Sequence, residues 1–183
     1  NQSLVTDGNG ALSFATPSPY QFSSWYLTTN FNNIDAGRDV IENWAISNAP
    51  GYEGLGTAPT YSSGTFTFPS TGYWRVQASL VYYLSSADGD TFALGLDKST
   101  DSGSSYDQFA TIGGRLDGSL PANVKLNWLV QGAVKVPNAS TFRMQVVTIG
   151  TKANIGYLMG GTQETSSFSG ATSTLLIEKM ANL

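Results

Sequence analysis

Apolar and polar side chains alternate with a period of two along most of this chain, and clusters of Gly, Pro, Asn and Asp separate the alternating stretches. Successive side chains of a β-strand point to opposite faces, so this pattern predicts strands. The clearest stretch is 73–84, where one face carries Trp74 and Leu80 and the other carries Arg75 and Gln77. We therefore expect a long strand with one face in a hydrophobic core.

The polar face of that strand is interrupted by Tyr73, Val81 and Tyr83. A strand that is apolar on both faces is typical of a position covered from two sides. We expect a second sheet to cover one face and a neighbouring subunit to cover the ends of the other.

The same alternation predicts strands along the rest of the chain, and helical spacing over several turns is almost absent. The further strand candidates are 22–31, 41–46, 65–68, 91–96, 106–112, 124–136, 141–149, 155–159 and 173–180. Roughly eight to ten strands in one domain favour an all-β jelly roll or a related sandwich over a barrel of shorter strands.

Residues 1–19 differ from the rest and are predicted to be an N-terminal arm, followed by one jelly-roll domain at 20–183. Residues 7–10 read Asp-Gly-Asn-Gly, which favours a tight turn, and 16–19 read Thr-Pro-Ser-Pro, which favours an extended linker. We expect a small hairpin around the turn. Its arm-contact side chains are predicted to be Leu4, Val5, Leu12 and Phe14. Such a hairpin is marginally stable alone, so we expect it to dock on a partner.

Residues 47–64 contain several Gly and Pro residues and are predicted to form a long loop. Loops of that length are usually functional or packed at an interface. Tyr52 and Tyr61 lie within it and are candidate ligand-facing residues.

The composition narrows the possible partners. The formal net charge is −4, and the nine Lys and Arg residues are scattered singly. Phosphate binding needs clustered cations, so we expect no nucleic acid partner. No apolar run approaches the roughly 20 residues of a membrane helix, so we expect no membrane insertion. Because Asn1 is not an initiator Met, we expect that something upstream was removed or omitted.

Histidine and cysteine are absent, which removes Ser-His-Asp and Cys-His catalysis and thiolate chemistry. A carboxylate pair for glycoside hydrolysis is the remaining option. Asp88 and Asp90 are two residues apart, while Glu42 and Glu53 lie before and within the loop at 47–64. Asp-Gly-Asp is also the ordinary sequence of a hairpin turn, and we favour that interpretation. We expect no catalytic residues.

Three carboxylates, Asp97, Asp101 and Asp107, flank or lie within a Gly- and Ser-rich segment. Hard oxygen ligands of this kind suit calcium, although the alternating ligands and terminal Glu of an EF-hand are missing. A solvated loop is the favoured interpretation, so we expect no cofactor, with calcium as the alternative.

The chain is rich in aromatic residues, and exposed rings would suit carbohydrate stacking. A carbohydrate-binding module is therefore the alternative function. The core or a subunit interface is the stronger interpretation for Trp74 and Trp128, because large rings dominate packing in both places.

The segment 64–76 reads Gly-Thr-Phe-Thr-Phe-Pro-Ser-Thr-Gly-Tyr-Trp-Arg-Val. It resembles a pattern of the C1q and tumour-necrosis-factor-like jelly rolls, in which a Gly-x-Phe strand meets a Pro-x-x-Gly turn and an aromatic strand. Residues 167–170, Ser-Phe-Ser-Gly, and the strand after them resemble the closing turn and final strand of that family. Residues 130–136 and 142–147 look like its penultimate pair. The resemblance covers roughly 60–180; the loop at 47–64 and an insertion at 116–123 depart from it.

The arm segment 3–14 looks like short linker repeats of bacteriophage structural proteins. Together the two resemblances imply a homotrimer on a virion surface, either a capsid decoration or cement protein or the tip of a fibre. Its partners would be other virion proteins, reached through the arm, and a host-surface glycan or protein at outward loops. The residues expected in the core or at the three-fold axis are Phe66, Phe68, Tyr73, Tyr83, Phe142 and Tyr157.

Overall fold

A computed structural model describes residues 3–6, 9–15, 20–32, 37–47, 54–84, 91–115, 125–150, 155–158, 160 and 173–183. For residues 3, 5, 13–15, 84, 91, 115 and 155–158 it describes the backbone alone. All regular elements in this part of the chain are strands. Within these ranges the structure has no helix long and apolar enough to span a bilayer.

The strands follow one another in chain order. They are β1 (Ser3–Thr6), β2 (Leu12–Ala15), β3 (Gln21–Leu27), β4 (Gly37–Val40), β5 (Trp44–Ile46), β6 (Thr60–Ser62), β7 (Thr65–Thr67), β8 (Gly72–Leu84), β9 (Thr91–Ser99), β10 (Asp107–Arg115), β11 (Lys125–Val136), β12 (Arg143–Gly150), β13 (Ile155–Leu158) and β14 (Thr174–Ala181).

Two antiparallel sheets form a jelly-roll sandwich. The front sheet has the order β11-β8-β14-β3-β5, with β13 beside β8, and the back sheet has the order β10-β9-β12-β7-β6, with β4 beside β12. Strands β1 and β2 form a separate hairpin. The chain crosses repeatedly between the two sheets, so neighbours in a sheet are distant in sequence, as in a jelly roll.

The core lies between the two sheets and follows the predicted alternation. In β8 the side chains of Trp74, Val76, Ala78, Leu80 and Tyr82 are fully buried. Neighbouring strands add side chains to the same inward face, because residues directly opposite each other in an antiparallel pair point to the same side of the sheet. The inward face predicted for 73–84 is therefore confirmed up to Tyr82.

Aromatic rings fill the two ends of the sandwich. At the end where β8 begins, Phe68 meets Trp74 edge to face at 5.0 Å and Phe142 at 5.2 Å between ring centroids. At the end where β8 finishes, Tyr82, Phe92 and Trp128 lie within 5.5 Å of one another, again by centroid distance. Such tilted contacts add to the stabilisation from burial alone. We call the end where β8 begins the lower end, and the end where β8 finishes the upper end.

The prediction of a strand over 41–46 is partly wrong. The chain pairs in the back sheet as β4, crosses at residues 41–43 and pairs in the front sheet as β5. Asn43 has a left-handed φ of 71° within this crossing, and Ile41 is fully buried. Alternation shows where a strand is extended, but it does not show where the chain changes sheets.

The long loop predicted at 47–64 is also corrected in the part that the structure describes. Residues 60–62 form β6, which pairs with β7, and Leu55 bridges to Phe22. Ser63 and Gly64 both have positive φ, as a two-residue type I′ hairpin turn requires. A three-residue strand is too short for its alternation to be recognised.

Candidate functional site

The outward face of the front sheet carries the apolar side chains that the core does not use. Tyr73 in β8 is 42% exposed and Leu129 in β11 is 46% exposed. Phe22 and Tyr26 in β3 and Leu176 in β14 are half-buried on the same face. Side chains that alternate with the buried set point away from the core. This face is the candidate assembly surface.

A polar network lies near the lower end of that face. Arg75 and Glu178 are directly opposite each other on β8 and β14, and their side chains form an ion pair. Tyr20 donates a hydrogen bond from its hydroxyl to the Glu178 carboxylate. This hydrogen bond is the main reason that the pKa of Tyr20 is raised above its ordinary value. The carboxylate of a mostly covered Glu178 is therefore already paired within the chain.

The residues expected in the core or at the axis fall into different environments. Phe66, Phe68 and Phe142 are buried between the sheets, so they cannot reach a symmetry axis. Tyr73 is exposed on the front face, and Tyr83 is half-buried in the same strand. The side chain of Tyr157 lies outside the described residues, although its backbone pairs with Tyr83.

Leu129 is not among the residues predicted for the core or the three-fold axis, although the sequence contains a signal for it. Strand β11 pairs with β8 along its whole length, and its burial alternates in the same way. Leu129 lies opposite Ser79 and therefore on the outward side. The alternation applied to 73–84 would have found it if it had been extended to this strand.

Of the two candidate ligand-facing residues, Tyr61 is described and Tyr52 lies outside the described residues. Tyr61 lies in β6, not in a loop, and its ring packs against Phe66 at 4.9 Å and Trp25 at 6.2 Å between centroids. Its hydroxyl accepts a hydrogen bond from the backbone N–H of Gly64 at 3.0 Å. The prediction that Tyr61 lies in the long loop at 47–64 is therefore wrong.

The three calcium candidates are not brought together. Asp97 is buried on β9, where the Arg38 guanidinium binds both of its carboxylate oxygens, with 2.7 Å from Nε to Oδ2. Asp107 begins β10 on the surface. In the described ranges no three His, Cys, Asp or Glu residues form a group suited to a metal ion. This arrangement does not fit a calcium site built from these carboxylates.

Asp101 instead closes the turn between β9 and β10. Its carboxylate accepts hydrogen bonds from Ser99 Oγ at 2.6 Å, from Ser105 N–H at 3.0 Å and from Ser105 Oγ at 2.7 Å. These bonds favour the ionised form, and they hold the pKa of Asp101 well below 3.8. Asp101 is thus a turn-stabilising residue.

The rings that a carbohydrate platform would need are mainly internal. Trp25, Trp44 and Trp74 are buried, and Trp128 packs partly against the core. Tyr82 is also buried, and its burial raises its pKa.

Of the carboxylates considered for glycoside hydrolysis, Glu42 is exposed, whereas Asp88, Asp90 and Glu53 lie outside the described residues.

The predicted hairpin of the arm is present. Strands β1 and β2 pair in antiparallel register, with Leu4 opposite Phe14 and Thr6 opposite Leu12. Leu4 is 58% and Leu12 67% exposed. The side chains of Val5 and Phe14 lie outside the described residues.

No family model matches the sequence, and no curated protein matches it either. The strand order and the comparison with solved structures define the class: the fold is a jelly roll of the tumour-necrosis-factor (TNF) type. Similar structures include Eiger TNF from S. frugiperda, at TM-score 0.58 and 13% identity over 91% of this chain and 96% of that chain. Murine APRIL at pH 5.0 matches at TM-score 0.58 and 8% identity, over 88% of this chain and 99% of that chain. At such identities the likeness shows the fold alone.

Proposed function

We propose that this chain is a non-enzymatic structural domain that assembles as a homotrimer through the outward face of its front sheet. We further propose that the trimer lies on the surface of a bacteriophage particle, as a capsid decoration or cement protein or as a fibre tip. The first statement rests on the face itself and the second on the arm.

The observation that carries the trimer is the exposure of Tyr73 and Leu129 on the front face. Each keeps more than two fifths of its surface in water, although the sheet beneath them is well packed. A closed cyclic assembly buries such a face without leaving an edge for further growth. The motif resemblance to C1q and TNF-like jelly rolls supports three copies, because it implies a homotrimer.

The Arg75, Glu178 and Tyr20 network is compatible with burial at this face. A buried interfacial charge is costly when it is unpaired, and Glu178 already has two partners within its own chain. A neighbouring copy can therefore cover the network while Glu178 keeps Arg75 and Tyr20 as partners.

The arm supports the virion assignment through its resemblance to phage linker repeats and through the geometry of the ends. The chain enters β3 at the lower end, where β8 begins and β14 finishes. A particle reached through the arm therefore lies on that side, and strand addition to a sheet of another virion protein is the expected contact. The upper end then faces outward, towards a host-surface glycan or protein.

We propose no catalytic residue and no cofactor. The buried carboxylate Asp97 is neutralised by Arg38, and Asp101 is occupied by its turn. Neither group is available as a general acid or as a metal ligand without the loss of those bonds.

Substitution of Leu129 by Glu tests the trimer. Three carboxylates brought into one buried interface repel each other and lose hydration, so light scattering should report the mass of a single chain. The matched control is Thr111→Glu on the outward face of the back sheet, where Thr111 is exposed and lies opposite Gly95, and it should retain the trimer. Trimers that persist in Leu129→Glu with an unchanged melting temperature would contradict the proposed interface.

Deletion of residues 1–19 tests the tether. The shortened chain should still fold and form trimers, because its core and front face are intact. It should fail to join the phage particle, as measured by co-sedimentation with virions that lack the wild-type protein. Full incorporation of the shortened chain would rule out the arm as the tether.

A further inference from the structure

The hairpin of strands β1 and β2 carries an unused apolar face. Because Leu4 pairs with Phe14 and Thr6 pairs with Leu12, Leu4 and Leu12 are diagonal neighbours on the same side of the ladder. Both leucines are more than half exposed, and the two strands form a sheet of their own. A hairpin with four-residue strands is marginal in water unless something covers one face.

A second apolar surface is exposed where the domain begins. We define the basal patch as Tyr20, Leu55, Met180 and Leu183, which are 50%, 55%, 49% and 54% exposed. Tyr20 precedes Gln21, whose partner in β14 is Lys179, and Met180 follows that lysine. Leu55 is held beside β3 by its two backbone hydrogen bonds with Phe22, each 2.8 Å long. These residues therefore lie at the lower end of the front sheet, beside the start of β3 or at and beyond the end of β14.

The chain length between the two surfaces limits where the hairpin can dock. Five peptide steps join Ala15 to Tyr20, and even a fully extended chain spans only about 17 Å over that length. Tyr20 is itself part of the basal patch. The hairpin is therefore confined to the neighbourhood of the lower end, where the basal patch and Tyr73 supply exposed apolar surface among the described residues.

We propose that Leu4 and Leu12 of one copy pack on the basal patch of a second copy in the trimer. Within one chain both surfaces remain exposed, which leaves each of them available to a second copy. In a three-fold assembly each copy offers one hairpin and one patch, and a head-to-tail contact uses every hairpin once and then closes. This inference rests on the proposed trimer.

The exchanged hairpin remains compatible with attachment to a particle. Docking on the basal patch uses the side chains of one hairpin face, whereas strand addition uses backbone N–H and C=O groups at a strand edge. The trimer would thus present three hairpins held in fixed positions, which reduces the ordering entropy that attachment must overcome.

Introduced cysteines test the exchange cleanly, because the chain contains no cysteine. We would co-express one tagged chain carrying Leu12→Cys with a differently tagged chain carrying Met180→Cys, and oxidise the purified protein mildly. A non-reducing gel should show disulfide-linked dimers that contain both tags. The double variant Leu12→Cys, Met180→Cys should give covalent trimers. The matched control pairs Leu12→Cys with Ile112→Cys, which lies in the back sheet outside the patch, and should give no mixed dimer.

Each other outcome overturns the exchange. Disulfides within single chains of the double variant would mean that the hairpin docks on its own domain, and links between two Leu12→Cys chains would mean that hairpins pack on one another. If no disulfide forms while the reduced protein sediments as a trimer, the exchange is wrong and the proposed trimer stands. If the reduced protein sediments as a single chain, both proposals are wrong.

Discussion

At the scale of single residues, several charged groups in the described part of the chain serve structure. Asp97 shows this best, because a carboxylate that is 1% exposed is held by an arginine reaching from another strand. A buried charge without its partner is costly, so breaking such a pair destabilises the protein more than forming the pair stabilises it. The few charges of the chain are therefore expected to matter for stability out of proportion to their number.

Replacement of Arg38 by Ala should reduce the free energy of unfolding by about 2 kcal/mol, because it leaves the Asp97 carboxylate buried without a cation. Arg38 is 41% exposed, so water replaces part of the lost interaction. Urea denaturation measures the change. In an Asp97→Asn background the same replacement should cost much less, and an equal cost in both backgrounds would contradict the pairing.

Asp101 should make the stability of the protein depend on pH in the acidic range. Its pKa is lowered in the folded state, so its contribution is complete above the unfolded pKa of 3.8 and is lost as the pH falls towards the folded value. Asp101→Asn should therefore melt at a lower temperature than wild type at pH 7. The difference should shrink as the pH is lowered below about 4. A difference that does not change with pH would show that the carboxylate charge is not the cause.

At the scale of elements, tight turns decide how neighbouring strands are joined. The turn that leads into β8 ends at Gly72, which has a φ of 144°. A Cβ at Gly72 would lie 2.4 Å from the Ala181 carbonyl oxygen and 2.7 Å from Lys179 Cε. This glycine is required both by its dihedral angle and by the close approach of β14.

Gly72→Ala should therefore lower the free energy of unfolding by about 2–4 kcal/mol, since backbone atoms must move to admit the methyl group. Gly114→Ala is the matched control, because a Cβ at Gly114 would meet nothing within 4 Å. It should be close to neutral. Thermal melts of the two variants give the comparison, and equal melting temperatures would contradict the role assigned to Gly72.

The long strands of the two sheets were largely predictable, because they place alternating residues in a well-packed core. The inward series of β8 and the hairpin around residues 7–10 were predicted from local pattern and turn chemistry. Strand β6 was missed because three residues carry too little pattern, and β4 because Gly-Arg-Asp-Val has no apolar alternation. The pairing of Asp97 with Arg38 joins residues 59 positions apart, which no local rule predicts.

The candidate surface was harder to predict than the core. Alternation separates the two faces of a strand, but it does not show whether an apolar side chain meets the second sheet or water. Phe66 and Tyr73 were therefore placed in one group, although one is fully buried and the other is exposed. Only the assembled sandwich separates the side chains that complete the protomer from those available to a partner.

At the scale of the whole molecule, a well-packed TNF-like sandwich leaves apolar side chains exposed on its front sheet. The chain enters β3 at the lower end, the front face is proposed to close the trimer, and the upper end is proposed to make the outward contacts. The exchange of hairpins and the attachment to a particle both depend on that closure. The oligomeric state is therefore the property on which the rest of the account depends.

Sedimentation equilibrium of the purified chain at micromolar concentration tests this most directly, because it reports mass without reference to shape. We predict three times the 19.4 kDa of one chain, with no change on dilution over the accessible range. A stable single chain of 19.4 kDa would contradict the account at its centre.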